Sequence, residues 1–245
     1  MERDTGSRAD TAEVQVLEGY EVVRKRPASY FGVGPGDPGF PLQVLQSVVA
    51  DVLWEFHVGP VLNVRVVIES DRCFRVEDDG PGLPIHPVGP RWDPAPWVVR
   101  MFRELVAGAC PPRGVGLAVP TAACSQVAAS VRRDGRHYQV DSGFGRETRL
   151  TDLGPAEGHG TSMRFVLDEE YLTSGAVLPQ DPAAAIEAAI DTPLWSGKTK
   201  VRGRVDVRIE DLRTGSRVLR TVLPNGTGRC SACIFDCEDP LAGQA

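Results

Sequence analysis

The chain has 245 residues and a mass of 26.5 kDa, and 42% of it is hydrophobic, enough for one large α/β domain or a domain and a half. A formal net charge of −6 and a pI near 5.3 exclude a general nucleic-acid-binding surface, because phosphate contacts need a basic excess. No apolar run reaches the length of a membrane span and no charged-then-apolar leader opens the chain, so the sequence reads as a soluble cytoplasmic protein without a membrane partner.

Residues 1–12 are polar and aperiodic and read as a flexible arm, followed by one domain over residues 13–224 and a loose, cysteine-containing tail over residues 225–245. Glu13 to Arg26 predicts a short helix stopped by Pro27, and Ser29–Phe40 a glycine- and proline-rich loop. From Pro41 to Phe56 the residues Leu42, Leu45, Val49, Val52 and Phe56 recur at helical spacing. Ser47, Asp51 and Glu55 fall on a neighbouring stripe of that helix and share a face. Leu62–Glu69 and Cys73–Glu77 alternate as strands around a turn at Ser70-Asp71. Prolines break residues 81–96, Trp97–Ala107 reads as a helix, and Gly116–Cys124 as a second short one. Val127–Arg133, His137–Asp141 and Thr161–Leu167 are strands, the first two joined by an Asp134-Gly135 turn. Pro182–Ile190 predicts a helix, and Arg204–Asp211 with Arg217–Leu223 a last hairpin around Thr214-Gly215.

The chemistry concentrates in a few places. Glu77-Asp78-Asp79-Gly80-Pro81-Gly82-Leu83-Pro84 puts an acidic pair at a strand end and then a forced tight turn. There a backbone can approach a flat ligand and a carboxylate can accept a hydrogen bond; alone, such a turn is an ordinary hairpin corner. Gly114-Val115-Gly116 precedes an alanine-rich apolar helix, a setting in which backbone N–H groups can hold anionic oxygens. The Ser47, Asp51, Glu55 stripe also has a bland reading, a solvated helix face. Cys230, Cys233 and Cys237 have zinc-like spacing but no fourth ligand nearby, so a redox-sensitive or merely exposed tail is the alternative to zinc; Cys73, Cys110 and Cys124 read as buried free thiols. His57, His86, His137 and His159 show no metal-ligand spacing, and His159 reads as a loop residue.

Four blocks in this order, Glu18-Gly19-Tyr20 through Phe31-Gly32, the Asp78 turn, Arg113–Val119 and Gly158-His159-Gly160-Thr161, resemble the ATP-binding domain of the gyrase B proteins and its GHKL superfamily. The likeness runs over most of the chain, and the basic Val23-Arg24-Lys25-Arg26-Pro27 block points to the topoisomerase branch. The resemblance implies a Bergerat-type two-layer α/β sandwich, a mixed and mostly antiparallel sheet with helices on one face. It implies ATP and magnesium as cofactors. In the pocket it places Asp78 against the adenine amino group, Gly82 and Leu83 against the base, Thr161 beside it, and Arg113 with Gly114, Val115 and Gly116 on the phosphates. Asp51 falls where the family has a magnesium-ligating asparagine, and Ser47 where it has the water-activating glutamate.

Several positions depart from the pattern. A hydroxyl at Ser47 cannot serve as a general base near neutral pH. Pro81 replaces an arginine that pairs with the acid matching Glu55, leaving Arg132 or Arg133 to serve, and a shortened lid with Pro111 and Pro112 precedes Arg113. No aromatic residue of the arm matches the one that helps the arm reach a second copy, and the residues after the last hairpin leave no room for a transducer or a DNA-cleaving module. The expectation is a stand-alone nucleotide-binding protein with weak or absent hydrolysis, not acting on DNA directly, with a homodimer or a gyrase-related protein as partner. The alternative is a reused fold whose pocket holds another adenine-site or non-nucleotide small molecule, as an enzyme of specialised metabolism or an inhibitor-tolerance protein.

Overall fold

The computed structural model describes residues 19–55, 61–86, 95–105, 116–172, 175–180, 182–184, 186, 204–222, 228–229 and 236–237. Helices α1 (Gly19–Lys25) and α2 (Ala28–Phe31) flank Pro27, which cannot continue a helix through its own missing N–H. Where the sequence predicts only loop, α2 adds a single helical turn. Helix α3 (Phe40–Glu55) has Pro41 in its first turn, where no intrahelical donor is lost. Strands β1 (Val61–Ser70) and β2 (Cys73–Asp78) form a hairpin, and α4 (Trp97–Arg103) and the short α5 (Ala118–Ala122) follow.

Then come β3 (Cys124–Arg133), β4 (Arg136–Gly143), β5 (Glu147–Pro155) and β6 (Gly160–Leu167), and finally β7 (Arg204–Asp211) and β8 (Ser216–Val222). A two-residue pairing of Gly228–Arg229 with Asp236–Cys237 lies beyond them. Residues 182–184 and 186 are helical, as expected for that segment. Strand β5 is an addition to the sequence reading. It is an edge strand whose alternating residues are mostly polar and exposed, so no apolar periodicity marks it.

Eight strands make one sheet in the order β5-β4-β3-β6-β2-β1-β7-β8, antiparallel throughout except for the parallel β1–β7 pair. Because side chains alternate across a strand, one face of the sheet is apolar. Val64, Val66 and Ile68 of β1, Phe74 and Val76 of β2, Met163 and Phe165 of β6 and Val127, Ala129 and Val131 of β3 are all buried in the core with the helices. Phe74 and Phe165 face each other across the β2–β6 pair and stack with centroids 5.2 Å apart. Helix α3 lays Val44, Leu45, Val48, Val49 and Val52 into the same core, a wider apolar arc than its sequence stripe suggests. On the opposite face the arginines and glutamates interlock: Arg65 pairs with Glu77 and Glu210, Arg75 with Glu69 and Glu77, and Arg164 with Glu69. Such half-exposed pairs contribute little one by one. Their main effect is to keep that face polar.

The basic block of α1 is used as scaffold. Arg24 donates from Nε to the Ala122 carbonyl at the end of α5 (2.7 Å) and from its terminal nitrogen to Asp168 just past β6 (2.7 Å). Its guanidinium lies over the Tyr171 ring, and the Tyr171 hydroxyl donates back to the Arg24 carbonyl. Asp168 is only 4% exposed, so losing its cation leaves a buried carboxylate without its ion pair. Arg24→Ala is expected to destabilise the protein by about 3 kcal/mol, read by urea unfolding. A loss within experimental error of zero would show that the pair carries no net stability.

Candidate functional site

Continuing the alternation of β2 places Asp78 on the core side, after Phe74 and Val76, at the point where the strand runs out. Its cross-strand partner Thr161 continues the inward series Met163, Phe165 and Leu167 of β6 and is 4% exposed. A carboxylate and a hydroxyl therefore face the space between sheet and helices. Asp78 accepts the Gly80 N–H on Oδ1 (2.9 Å) and the Thr161 backbone N–H. Burial pushes its carboxyl up to about 7, although the Gly80 and Thr161 donors pull the other way. The next residue, Asp79, is exposed and turned outward. Its oxygens accept the backbone and side-chain N–H groups of Asn63 at 2.7 and 2.6 Å, so it fastens β1 and only Asp78 of the pair is turned toward the core side.

The turn after Asp78 is clamped by β3 and β6. Leu83 N–H donates to Thr161 Oγ1 (3.2 Å), and Arg133 donates to the Gly82 carbonyl (2.6 Å). Gly82 has φ +80°, and a Cβ there would stand 2.5 Å from the Arg132 carbonyl oxygen. The glycine is thus needed for the close approach of the turn to β3. Leu83 is buried beneath it. At the head of β6, Gly160 has φ +126° and a Cβ there would come within 2.3 Å of the Asp78 carbonyl. The β2 backbone therefore fills the space beside Gly160.

On α3, Asp51 is 9% exposed, which replaces the solvated-face reading of the Ser47, Asp51, Glu55 stripe at that position. It accepts the Gly116 N–H, and burial still pushes its carboxyl up to about 7. Its Oδ2 is buried with no hydrogen-bond partner among the described residues. Gly116, with φ +72°, directs its N–H to this carboxylate just ahead of α5. One turn earlier on α3, Ser47 is half-buried and its hydroxyl donates to the Val44 carbonyl (2.7 Å), back onto its own helix.

The structure thus brings Asp78, Gly82, Leu83 and Thr161 together at one end of the sheet and joins Asp51 to Gly116. Arg113, Gly114 and Val115 lie outside the described residues, as do Cys110, Cys230 and Cys233 and the side chains of Glu55 and Cys237. Cys73 and Cys124 are buried free thiols, and burial with a Glu69 contact raises Cys73 to about 11. Among the described residues no three His, Cys, Asp or Glu side chains group as a metal site, and no helix is long and apolar enough to cross a membrane. Arg133, offered by sequence as a partner for Glu55, spends its guanidinium on the Gly82 carbonyl and on Asp134. His159 is more than a loop residue: its Nδ1 lies 2.8 Å from the Gly80 carbonyl.

No protein-family model matches the chain. It is 31% identical over 195 residues to the B subunit of DNA gyrase from Enterococcus faecalis, covering 74% of this chain and 29% of that protein. It is likewise 31% identical over 179 residues to the B subunit of DNA topoisomerase 4 from Caulobacter vibrioides, covering 67% of this chain and 25% of that one. The chain therefore spans less than a third of the length of these relatives. The 43K ATPase domain of Thermus thermophilus gyrase B, solved in complex with an aminocoumarin, superposes with a TM-score of 0.66 at 23% identity, over 83% of this chain and 51% of that one. Homology to these gyrase and topoisomerase B subunits and the shared fold place the chain in the GHKL family, with an architecture like that of the gyrase B ATPase domain.

Proposed function

We propose that this chain binds an adenine nucleotide between α3 and the sheet, reads the base with Asp78, and hydrolyses the nucleotide weakly or not at all. The observation that carries the reading is the Asp78 carboxylate: held by two backbone donors, set on the core face of a strand end, and without an ion pair among the described residues. Those two donors offset only part of the desolvation of this largely enclosed carboxylate, whose carboxyl stays raised. An exocyclic amino group supplies one, and the Thr161 side chain and the backbone of the Gly82 turn frame the same space. Family membership supports the base; the likeness of the whole relatives to this chain is partial and supports no DNA-directed activity.

The unpartnered Asp51 Oδ2 fits a divalent cation, since a carboxylate oxygen is a good magnesium ligand and magnesium is usually held by one or two carboxylates plus substrate phosphates. Asp51 would hold magnesium, whose charge when bound offsets that of the phosphates. Weak hydrolysis follows from Ser47. Its hydroxyl is committed to the Val44 carbonyl and cannot take a proton from water near neutral pH. Binding at about micromolar affinity, with phosphate release no faster than in the absence of protein, is the expected outcome. Multiple turnover would sink the hydrolysis part of the proposal.

The pH dependence follows from the direction of the Asp78 shift. Its carboxyl is raised to about 7, and the ionised form is the better acceptor for an amino group. Affinity for adenosine, which carries no phosphate and needs no metal, should fall by up to about tenfold per unit as the pH drops below 7 and level off above it. Calorimetric titration between pH 5.5 and 8.5 checks this, and a flat profile would contradict it. A second reading, a non-nucleotide ligand in a reused pocket, is favoured by the negative charge of Asp51 near the phosphate end. It predicts binding of an adenine-site gyrase inhibitor without binding of ATP.

A further inference from the structure

The turn that carries Asp78 is held from outside at several points, and one of them lies on a residue that the reading of the pocket leaves unused. Gly80 is pinned on both sides. Its N–H donates to Asp78 Oδ1 (2.9 Å), and its carbonyl oxygen lies 2.8 Å from His159 Nδ1. A carbonyl only accepts, so His159 carries a proton on Nδ1 in this contact, whatever the state of its other nitrogen. Pro81, next in the chain, has no N–H to contribute. The other side-chain clamps act further along, Arg133 on the Gly82 carbonyl and Thr161 on the Leu83 N–H, while Asp79 is turned away onto Asn63. The His159 ring reaches Gly80 because its neighbours are left-handed: Gly158 has φ +78° and Gly160 φ +126°. Gly160 itself is seated against the Asp78 carbonyl, which fixes the distance between the two segments.

We propose that His159 is the positioning residue of the adenine-reading turn: by donating from Nδ1 to the Gly80 carbonyl it holds Gly80, and through the Gly80 N–H the Asp78 carboxylate, in the geometry that accepts a ligand. His159 acts through Gly80 and touches no reacting atom. Asparagine is the conservative substitute, since its side-chain NH2 stands where the histidine Nδ1 does, two bonds from Cβ. Alanine removes the donor.

The test compares the wild type with His159→Ala and His159→Asn in two measurements. Amide hydrogen exchange of the unliganded protein reads the Gly80 N–H, with the amides of β1 as an internal control. Titration with adenosine reads the site, and only this second measurement rests on the nucleotide reading above. In His159→Ala, Gly80 exchange should speed up and adenosine affinity weaken, each by about fivefold, the size expected of one lost hydrogen bond. His159→Asn should restore both to within about twofold, with β1 exchange unchanged in either variant. The proposal is overturned if His159→Ala leaves Gly80 exchange at the wild-type rate, if asparagine fails to restore it, or if β1 exchange speeds up equally. Should the wild type bind no adenosine, the nucleotide reading fails and the exchange measurement alone decides the role of His159.

Discussion

Replacing Asp51 by asparagine is expected to raise the melting temperature of the unliganded protein at pH 8 and to change it little at pH 5. Burial raises the Asp51 carboxyl from 3.8 to about 7, with only the Gly116 N–H opposing. A carboxyl raised in the folded state favours the protonated form there. The stability it contributes is complete below about 3.8 and is lost as the pH rises to about 7. Above 7 the folded protein carries an ionised carboxylate whose Oδ2 has no partner among the described residues, a penalty of up to about 4 kcal/mol. Asparagine keeps an acceptor for the Gly116 N–H and removes the charge. It also points an unpartnered NH2 at the same space, which costs about 1–3 kcal/mol. The balance at pH 8 is a gain of about 2 kcal/mol, or about 4–8 °C for a domain of this size. Equal melting temperatures at pH 8, or a less stable variant there, would show that Asp51 is better compensated than its surroundings indicate. The same substitution should weaken magnesium-dependent nucleotide binding, because it removes the unpartnered carboxylate oxygen.

The second large effect is steric. Gly160→Ala places a Cβ 2.3 Å from the Asp78 carbonyl oxygen and 3.2 Å from the Asp79 Cα, in a residue with φ +126°. Nothing flexible stands in the way to yield; the β2 backbone itself must move. The expected loss is at least about 3 kcal/mol in urea unfolding, together with loss of adenosine binding as Asp78 is displaced. Gly158→Ala is the control two residues earlier. There φ is +78° but no atom lies within 4 Å of the added Cβ, so only the left-handed backbone is penalised, by about 1–2 kcal/mol. Equal losses in the two variants would mean that the approach of β6 to Asp78 is not the constraint.

The sheet was legible in the sequence wherever its strands alternate. Cys73 to Glu77 and Thr161 to Leu167 each show the period of two, and that period alone sends Asp78 and Thr161 to the same face. Strand β5 was not legible. Glu147–Pro155 is exposed along an edge and carries arginine, threonine and aspartate where an inner strand would carry valine. Helix α3 was legible as a helix, but not the depth of Asp51, since an i, i+4 run of polar residues is what a solvated face also shows. Arg24 and His159 act through bonds to backbone carbonyls 98 and 79 residues away in sequence, and no local pattern encodes such a contact.

The measurement that tests the central claim most directly is calorimetric titration with ATP and magnesium at pH 8, on the wild type and on Asp78→Asn. The asparagine can still accept the Gly80 N–H through its oxygen, so the turn is expected to keep its shape. Its NH2 meets the adenine amino group donor to donor, and the charge is gone. Binding by the wild type that weakens at least about a hundredfold in Asp78→Asn, with the melting temperature not lowered, is the predicted result. Wild-type affinity retained by Asp78→Asn, or no binding by the wild type at all, would contradict the assignment of this pocket to an adenine nucleotide.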